Sequence, residues 1–395
     1  MINPKFKAML SARSVIRELS EYATQRGEEI GYENVFDFSL GNPSVPVTEG
    51  YTRAVIDIHE QMEPVELHGY SPSLGNTKVR GIVAESLKKR FGIPYDTRHI
   101  FMTSGAAGAL AHALRAVTVP GDEVLVFAPF FPEYIPYINE TGANIKVVDA
   151  DLENLQINWE ALDKAMNEKV SAVLINSPNN PSGVVYSEET LVRLAGYLGE
   201  CQDRYGHEIF LISDEPYREI VFDGGVVPYP SRYYDNTLSC YSFSKSLSLP
   251  GERIGYVAVN PKAVDADILA IIFGQISRGI GHNCPSSSVQ LAVASVIEET
   301  SDLSVYETNR DLLYGCLTEL GVEVIKPAGT FYIFPRALSD NAAEFCRAAL
   351  KYDLVLVPSD NFGVEGFFRM AYCLDTEKVE RSIPVLRKFI TEYKK

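Results

Sequence analysis

The chain has 395 residues, too long for one small core and suited to two domains of unequal size. Its formal net charge of −16, from 36 basic and 52 acidic residues, argues against nucleic acid or an anionic membrane as partner. The six cysteines are scattered, with no CxxC pair and no Cys/His spacing for a metal, and no apolar run reaches the roughly 18 residues of a membrane span, so a cytoplasmic protein with reduced thiols is expected.

The opening stretch, Met1 to Leu10, lacks the apolar core of a signal peptide. Residues 11–30 carry Val15, Ile16, Leu19 and Ala23 at helical spacing. A strand from Val35 to Leu40 then runs into the turn cluster Gly41-Asn-Pro-Ser-Val-Pro46. Gly41 lets backbone N–H groups approach a ligand, though a plain turn glycine reads the same. Tyr70-Ser-Pro-Ser-Leu-Gly75 is a Gly/Pro loop with an exposed tyrosine, followed by an amphipathic helix through Phe91.

Ile100 to Thr103 reads as a strand, and Ser104-Gly105-Ala106-Ala107-Gly108 opens a helix. Small residues there let a phosphate reach the free N–H groups of the first turn, and they also suit helix–sheet packing. Val124 to Phe127 is a buried strand closing on Pro129-Phe-Phe131-Pro-Glu-Tyr134. Phe131 can stack on a planar ring or serve the core. The strand Ser171 to Asn176 enters Ser177-Pro-Asn-Asn180-Pro-Ser-Gly183, where the Asn180 carboxamide can donate to a phenolate oxygen. Ile209 to Ser213 ends in Asp214-Glu215-Pro216-Tyr217, and a carboxylate at a buried strand end needs a partner.

Leu238 to Phe243 is an uncharged strand that leads to Lys245. Desolvation lowers the pKa of a lysine there and frees an amine able to form a Schiff base with an aldehyde. Ser242 and Ser244 flank it, and Arg253 follows between Gly251 and Gly255, a set suited to a phosphate ester. A surface lysine in a Ser-rich turn is the alternative. About seven near-continuous apolar strands alternate with helices between 100 and 259, which predicts a mostly parallel sheet covered on both faces. Ile254 to Val259 follows Lys245 after a short loop and is expected to run antiparallel. Ligands bind at the carboxyl ends of such strands, where Ser104, Phe131, Asn180, Asp214 and Lys245 converge. Arg278 lies in a flexible loop after a helix, five residues before Asn283. From about 290 a long helix leads into a smaller αβ unit. There Arg369, inside an apolar strand, needs an anion or a salt bridge.

Ser242-x-Ser-Lys245 with Gly251-x-Arg253-x-Gly255 resembles the Schiff-base segment of the class I/II aminotransferases, the fold-type I pyridoxal-phosphate enzymes. The resemblance runs from Gly41 to Arg369. It implies an α/β fold: a large domain, 46–289, built on a mostly parallel seven-stranded sheet, and a smaller αβ domain formed by 1–45 and 290–395. By this resemblance Lys245 carries pyridoxal 5'-phosphate, Asp214 pairs with the ring nitrogen, and Asn180 and Tyr217 reach the ring oxygen. Phe131 lies on the ring. Gly105, Ala106, Ala107, Ser242, Ser244 and Arg253 hold the phosphate, joined by Tyr70 from the second subunit of a homodimer. Arg369 clamps the substrate α-carboxylate near Gly41 and Asn180, and Arg278, again from the second subunit, binds a distal carboxylate as in aspartate-type members. The implied activity is ping-pong transfer of an amino group between an L-amino acid, aspartate or glutamate, and a 2-oxo acid. A carbon–sulfur β-lyase or a non-catalytic cofactor-binding homologue are the alternatives.

Overall fold

A computed structural model describes residues 2–9 and 15–395. Residues 11–14 of the first predicted helix lie outside these; from there the helix runs Val15–Ile30. Twelve strands follow among the described residues. They are β1 (Phe36–Asp37), β2 (Ile100–Thr103), β3 (Glu123–Phe127), β4 (Asn144–Val148), β5 (Val170–Asn176) and β6 (Phe210–Asp214). Then come β7 (Thr237–Ser242), β8 (Gly255–Val259), β9 (Tyr332–Ile333), β10 (Leu354–Val355), β11 (Val357–Pro358) and β12 (Phe368–Ala371).

The central sheet has seven strands in the order β2-β8-β7-β6-β5-β3-β4. The pairs from β7 to β4 are parallel, and β8 runs antiparallel to both β7 and β2, as expected. Alternate residues of each strand enter different cores. Val124 and Val126 pack with Leu110 and Leu114 of the helix Gly105–Val117. Leu125 and Val173 face Leu191, Leu194 and Leu198 of the helix Glu188–Tyr205. Burial on both faces is why the strands are apolar at nearly every position.

A second body closes the carboxyl ends of this sheet. Phe36 and Phe38 share one core with Leu313, Phe345, Phe368 and Phe389, and β1 pairs in parallel with β10. The N-terminal segment is thus built into the C-terminal body. Helix Val15–Ile30 packs on that body too: Ala23 shares a small core with Val35 and Val355.

Four local expectations are corrected. The strand drawn from Val35 to Leu40 is only Phe36–Asp37, because Asp37 Oδ1 accepts from the Ser39 amide at 2.9 Å and its hydroxyl at 2.6 Å, curling the chain. Lys245 is not at the bare strand end but on the one-turn helix Phe243–Ser246, whose first turn is capped by Ser242 Oγ. Arg278 lies in the helix Ala266–Ile280, which continues to a left-handed cap at Gly281 instead of opening into a loop. The long helix from 290 is two helices, Ser287–Ser295 and Ser304–Glu319. Between them the Ser301 amide docks on the Ser246 carbonyl at 2.8 Å, and Asp302 caps the amide of Ser304.

Candidate active site

Where the sheet's carboxyl ends meet the second body lies a cavity of about 510 Å³. Asp214, the last residue of β6, is 5 % exposed and faces it. Tyr134 donates to its Oδ2 at 2.6 Å, while Oδ1 is buried without a partner. Burial pushes this carboxyl up to about 7, the Tyr134 hydrogen bond opposing and the charge of Glu215 adding. Glu215 itself pairs with buried Arg218 at 2.9 Å. Tyr217 lines the cavity and bonds Tyr332 at 3.2 Å between hydroxyls.

One strand over, Asn176 ends β5. Its side chain donates to the Asp214 carbonyl at 2.9 Å and accepts from the Asn180 amide at 2.7 Å. Asn180 Oδ1 in turn accepts from Arg369 Nη1 at 3.1 Å, which leaves the amide nitrogen for a ligand oxygen. Arg369 is 1 % exposed on β12 and has no carboxylate partner among the described residues. Its Nη2 donates to the Ser39 carbonyl, its Nε is buried and unbonded, and burial lowers its pKa. A fixed cation in that state lacks an anion.

Lys245 Nζ donates to the Gly41 carbonyl at 2.7 Å. Its side chain is partly accessible through the cavity it lines. Desolvation brings its pKa down to about 8; Arg253 and Arg369 push the same way and Cys373 opposes. One stretch, Ser39 to Gly41, therefore touches both Arg369 and Lys245. Glycine is required at 41, since a Cβ would collide with the Tyr332 hydroxyl.

The helix Gly105–Val117 points its N-terminus at the same space. Ser104 gives no side-chain cap, so its first N–H groups remain free for an anion. Arg253, in left-handed backbone, reaches over it, with Nη2 3.4 Å from the Ser104 carbonyl. A Cβ on Gly105 would sit 3.1 Å from that Nη2, and one on Gly255 would run into the Tyr241 carbonyl. Ser242 and Ser244 bond each other at 2.7 Å beside this cradle. Phe131 lines the cavity, edge-on to Tyr134.

Two expected residues lie elsewhere. Tyr70 is fully exposed. Arg278 lines a separate hollow with Ser73, Leu74 and Asn283. Neither reaches the cavity of its own chain. The sequence reading missed Tyr134, Asn176, Tyr332 and, at the mouth, Arg17, Glu133 and Tyr137. The aromatic pair Phe131 and Tyr134, whose rings meet edge-on at 5.7 Å, was the one visible signal.

The profile of aminotransferase class I and II matches residues 33–386. The chain belongs to this family. It is 42% identical to an amino transferase of known structure from Eubacterium rectale, covering 100% of both chains with a TM-score of 0.97. An aspartate aminotransferase structure from Thermotoga maritima is 26% identical over 96% of this chain and 97% of its own, with a TM-score of 0.86. A probable N-acetyl-LL-diaminopimelate aminotransferase from Bacillus subtilis is 28% identical over 99% of this chain and 96% of its own. The protein is accordingly an aminotransferase of the pyridoxal-phosphate class, acting on amino acids and 2-oxo acids. The residues present fit that cofactor. An amine of lowered pKa, a buried carboxylate oxygen without a donor and a free helix N-terminus beside Arg253 answer its aldehyde, its ring nitrogen and its phosphate. Among the described residues no helix is long and apolar enough to cross a membrane.

Proposed function

We propose that this aminotransferase works on a dicarboxylic L-amino acid, aspartate or glutamate, with a dicarboxylic 2-oxo acid as acceptor. The observation that carries the site assignment is the unpartnered Oδ1 of Asp214 in the same cavity as the Lys245 amine and the uncompensated Arg369. Asp214 takes the ring nitrogen, Asn180 and Tyr217 the ring oxygen, Phe131 the ring face. The N–H groups of Gly105, Ala106 and Ala107, with Ser242, Ser244 and Arg253, hold the phosphate. Bound there, pyridoxal phosphate supplies an aldehyde and an electron-withdrawing ring. Arg369, held by Asn180 and the Ser39 carbonyl, grips the α-carboxylate beside Gly41 and so orients the Cα–H bond toward Lys245. Lys245 Nζ, its pKa brought down to about 8 by desolvation, takes the Cα proton in its free-amine form. The amino group then passes to the acceptor in a second half-reaction.

The large domain, 46–289, carries the cofactor, and 1–45 with 290–395 carries Arg369. Arg278 and exposed Ile271 line one hollow with Ser73 and Leu74, in the loop that begins at exposed Tyr70. The face around it suits a second copy of the chain, through which Tyr70 would reach the phosphate and Arg278 the distal carboxylate of the partner's substrate. The test is to add L-aspartate to the cofactor-loaded protein and follow its visible absorption. Bleaching of the long-wavelength band, restored by 2-oxoglutarate, is expected. A band that responds to alanine or phenylalanine but not to aspartate refutes the dicarboxylate assignment.

A further inference from the structure

The cavity has a second charged end that the assignments above leave unused. Among the described residues lining it, the cations are Arg17, Lys245, Arg253 and Arg369. Lys245 is the reacting amine, Arg253 lies on the helix N-terminus and Arg369 lies deep against Asn180. Arg17 remains. It stands in the helix Val15–Ile30, exposed, and lines the cavity together with Glu133 and Tyr137. It forms no ion pair or hydrogen bond among the described residues. In a chain with 52 acidic and 36 basic side chains, an arginine at a pocket rim without a carboxylate partner is a feature to explain. Burial pushes the Tyr137 hydroxyl up to about 12, with the charges of Arg253 and Arg17 opposing. It stays protonated, a neutral donor beside the guanidinium.

The scaffold ties Arg17 to Arg369. Ile16 and Leu19 pack into the core that holds Val357 and Phe362. Val357, on β11, is the register partner of Arg369 on β12. Both guanidiniums are therefore carried by elements packed into one core, which also takes in Val124 and Val126 of the central sheet, and that packing fixes their separation. Two cations at a fixed separation measure the length between two carboxylates.

We infer that Arg17 reads the distal carboxylate of the substrate, as the outer half of a two-arginine ruler whose inner half is Arg369. The inference rests on the dicarboxylate reading proposed above, and adds to it a specificity residue from the substrate's own subunit. Glu133, which lines the same cavity, sharpens the choice: it repels a carboxylate that does not reach Arg17 and leaves neutral side chains indifferent.

The experiment uses the cofactor-loaded protein and compares wild type with Arg17→Met, Arg17→Lys and Arg278→Ala. Two quantities are read: the ratio of kcat/KM for L-aspartate over L-alanine, and the dissociation constant of succinate from its perturbation of the visible band. Removing a charge-assisted contact predicts a fall of about ten- to a hundredfold in the ratio for Arg17→Met, with a parallel rise in the succinate constant. Arg17→Lys should recover most of both, which a merely structural role for the helix would not produce. Equal losses for aspartate and alanine, or an unchanged succinate constant, overturn the inference. Selectivity that survives Arg17→Met but disappears in Arg278→Ala overturns it while sparing the dicarboxylate reading. Wild type with no preference for aspartate over alanine overturns both.

Discussion

Asp214→Asn in the cofactor-free protein should be stabilising at alkaline pH and not at acid pH. Asp214 rises from 3.8 unfolded to about 7 folded because the chain buries it and offers Oδ1 no donor. A raised carboxyl pKa means that the folded state holds the proton more tightly, so stability falls as pH climbs from about 4 to about 7 and stays low above. About three pKa units correspond to about 4 kcal/mol. For 395 residues, with an unfolding entropy of about 2 cal/mol/K per residue, that is about 5 °C in Tm. Asparagine carries no charge and keeps an acceptor for the Tyr134 hydroxyl. At pH 8 the stripped variant should melt about 5 °C above the stripped wild type, narrowing to about 1 °C at pH 4.5. Differential scanning fluorimetry across pH 4.5–8 reads this directly. Adding pyridoxal phosphate should reverse the order, because only the wild type gains a charge-assisted partner for the ring nitrogen. A Tm difference that does not change with pH, or a variant less stable at pH 8, would refute the argument that an unpartnered charge is stored there.

Lys245 supplies the second pH effect. With its pKa brought down to about 8, the free amine grows about tenfold per unit up to that pH, so the rate of cofactor capture by the stripped protein should rise likewise and level off above it; a pH-independent rate contradicts the assignment. Arg369→Ala should lower kcat/KM for every amino acid by about ten- to a hundredfold or more, alanine and aspartate alike, as measured in single half-reactions. Gly105→Ala puts a Cβ at left-handed backbone, φ 72°, and 3.1 Å from Arg253; the dissociation constant of pyridoxal phosphate should rise about tenfold with little change in the spectrum of the protein that still binds.

Much of the site could be read in the sequence because its parts are local. Lys245, Asp214, Asn180 and the Gly105 helix start each lie at or within a few residues of the end of a strand whose burial on both faces makes it apolar throughout. A polar residue at that edge therefore stands out against its neighbours, and parallel strands bring their carboxyl ends together. The antiparallel β8 follows from the few residues between Lys245 and Ile254, too few for a crossover. The misreadings turned on hydrogen bonds outside the regular ladders, one made by a side chain and one between backbone groups far apart in sequence. Asp37 curling the chain after two strand residues and Ser301 docking on Ser246 both replace a regular ladder that the apolar pattern alone would extend.

What the sequence determined by itself, then, is the order of the strands' chemistry and the cofactor that chemistry fits. The tertiary structure decided how those groups are held. Lys245 meets the carbonyl of Gly41 across 204 residues, Arg369 meets Asn180 across 189, and Tyr134 meets Asp214 across 80. No periodicity encodes such pairs, because each depends on where two separately packed bodies bring their backbones, and on which way a side chain turns once burial has removed its water. The same holds for Arg17, an ordinary exposed helix arginine in the sequence, which only the packing of its helix on β1 and β11 sets at the mouth of the cavity.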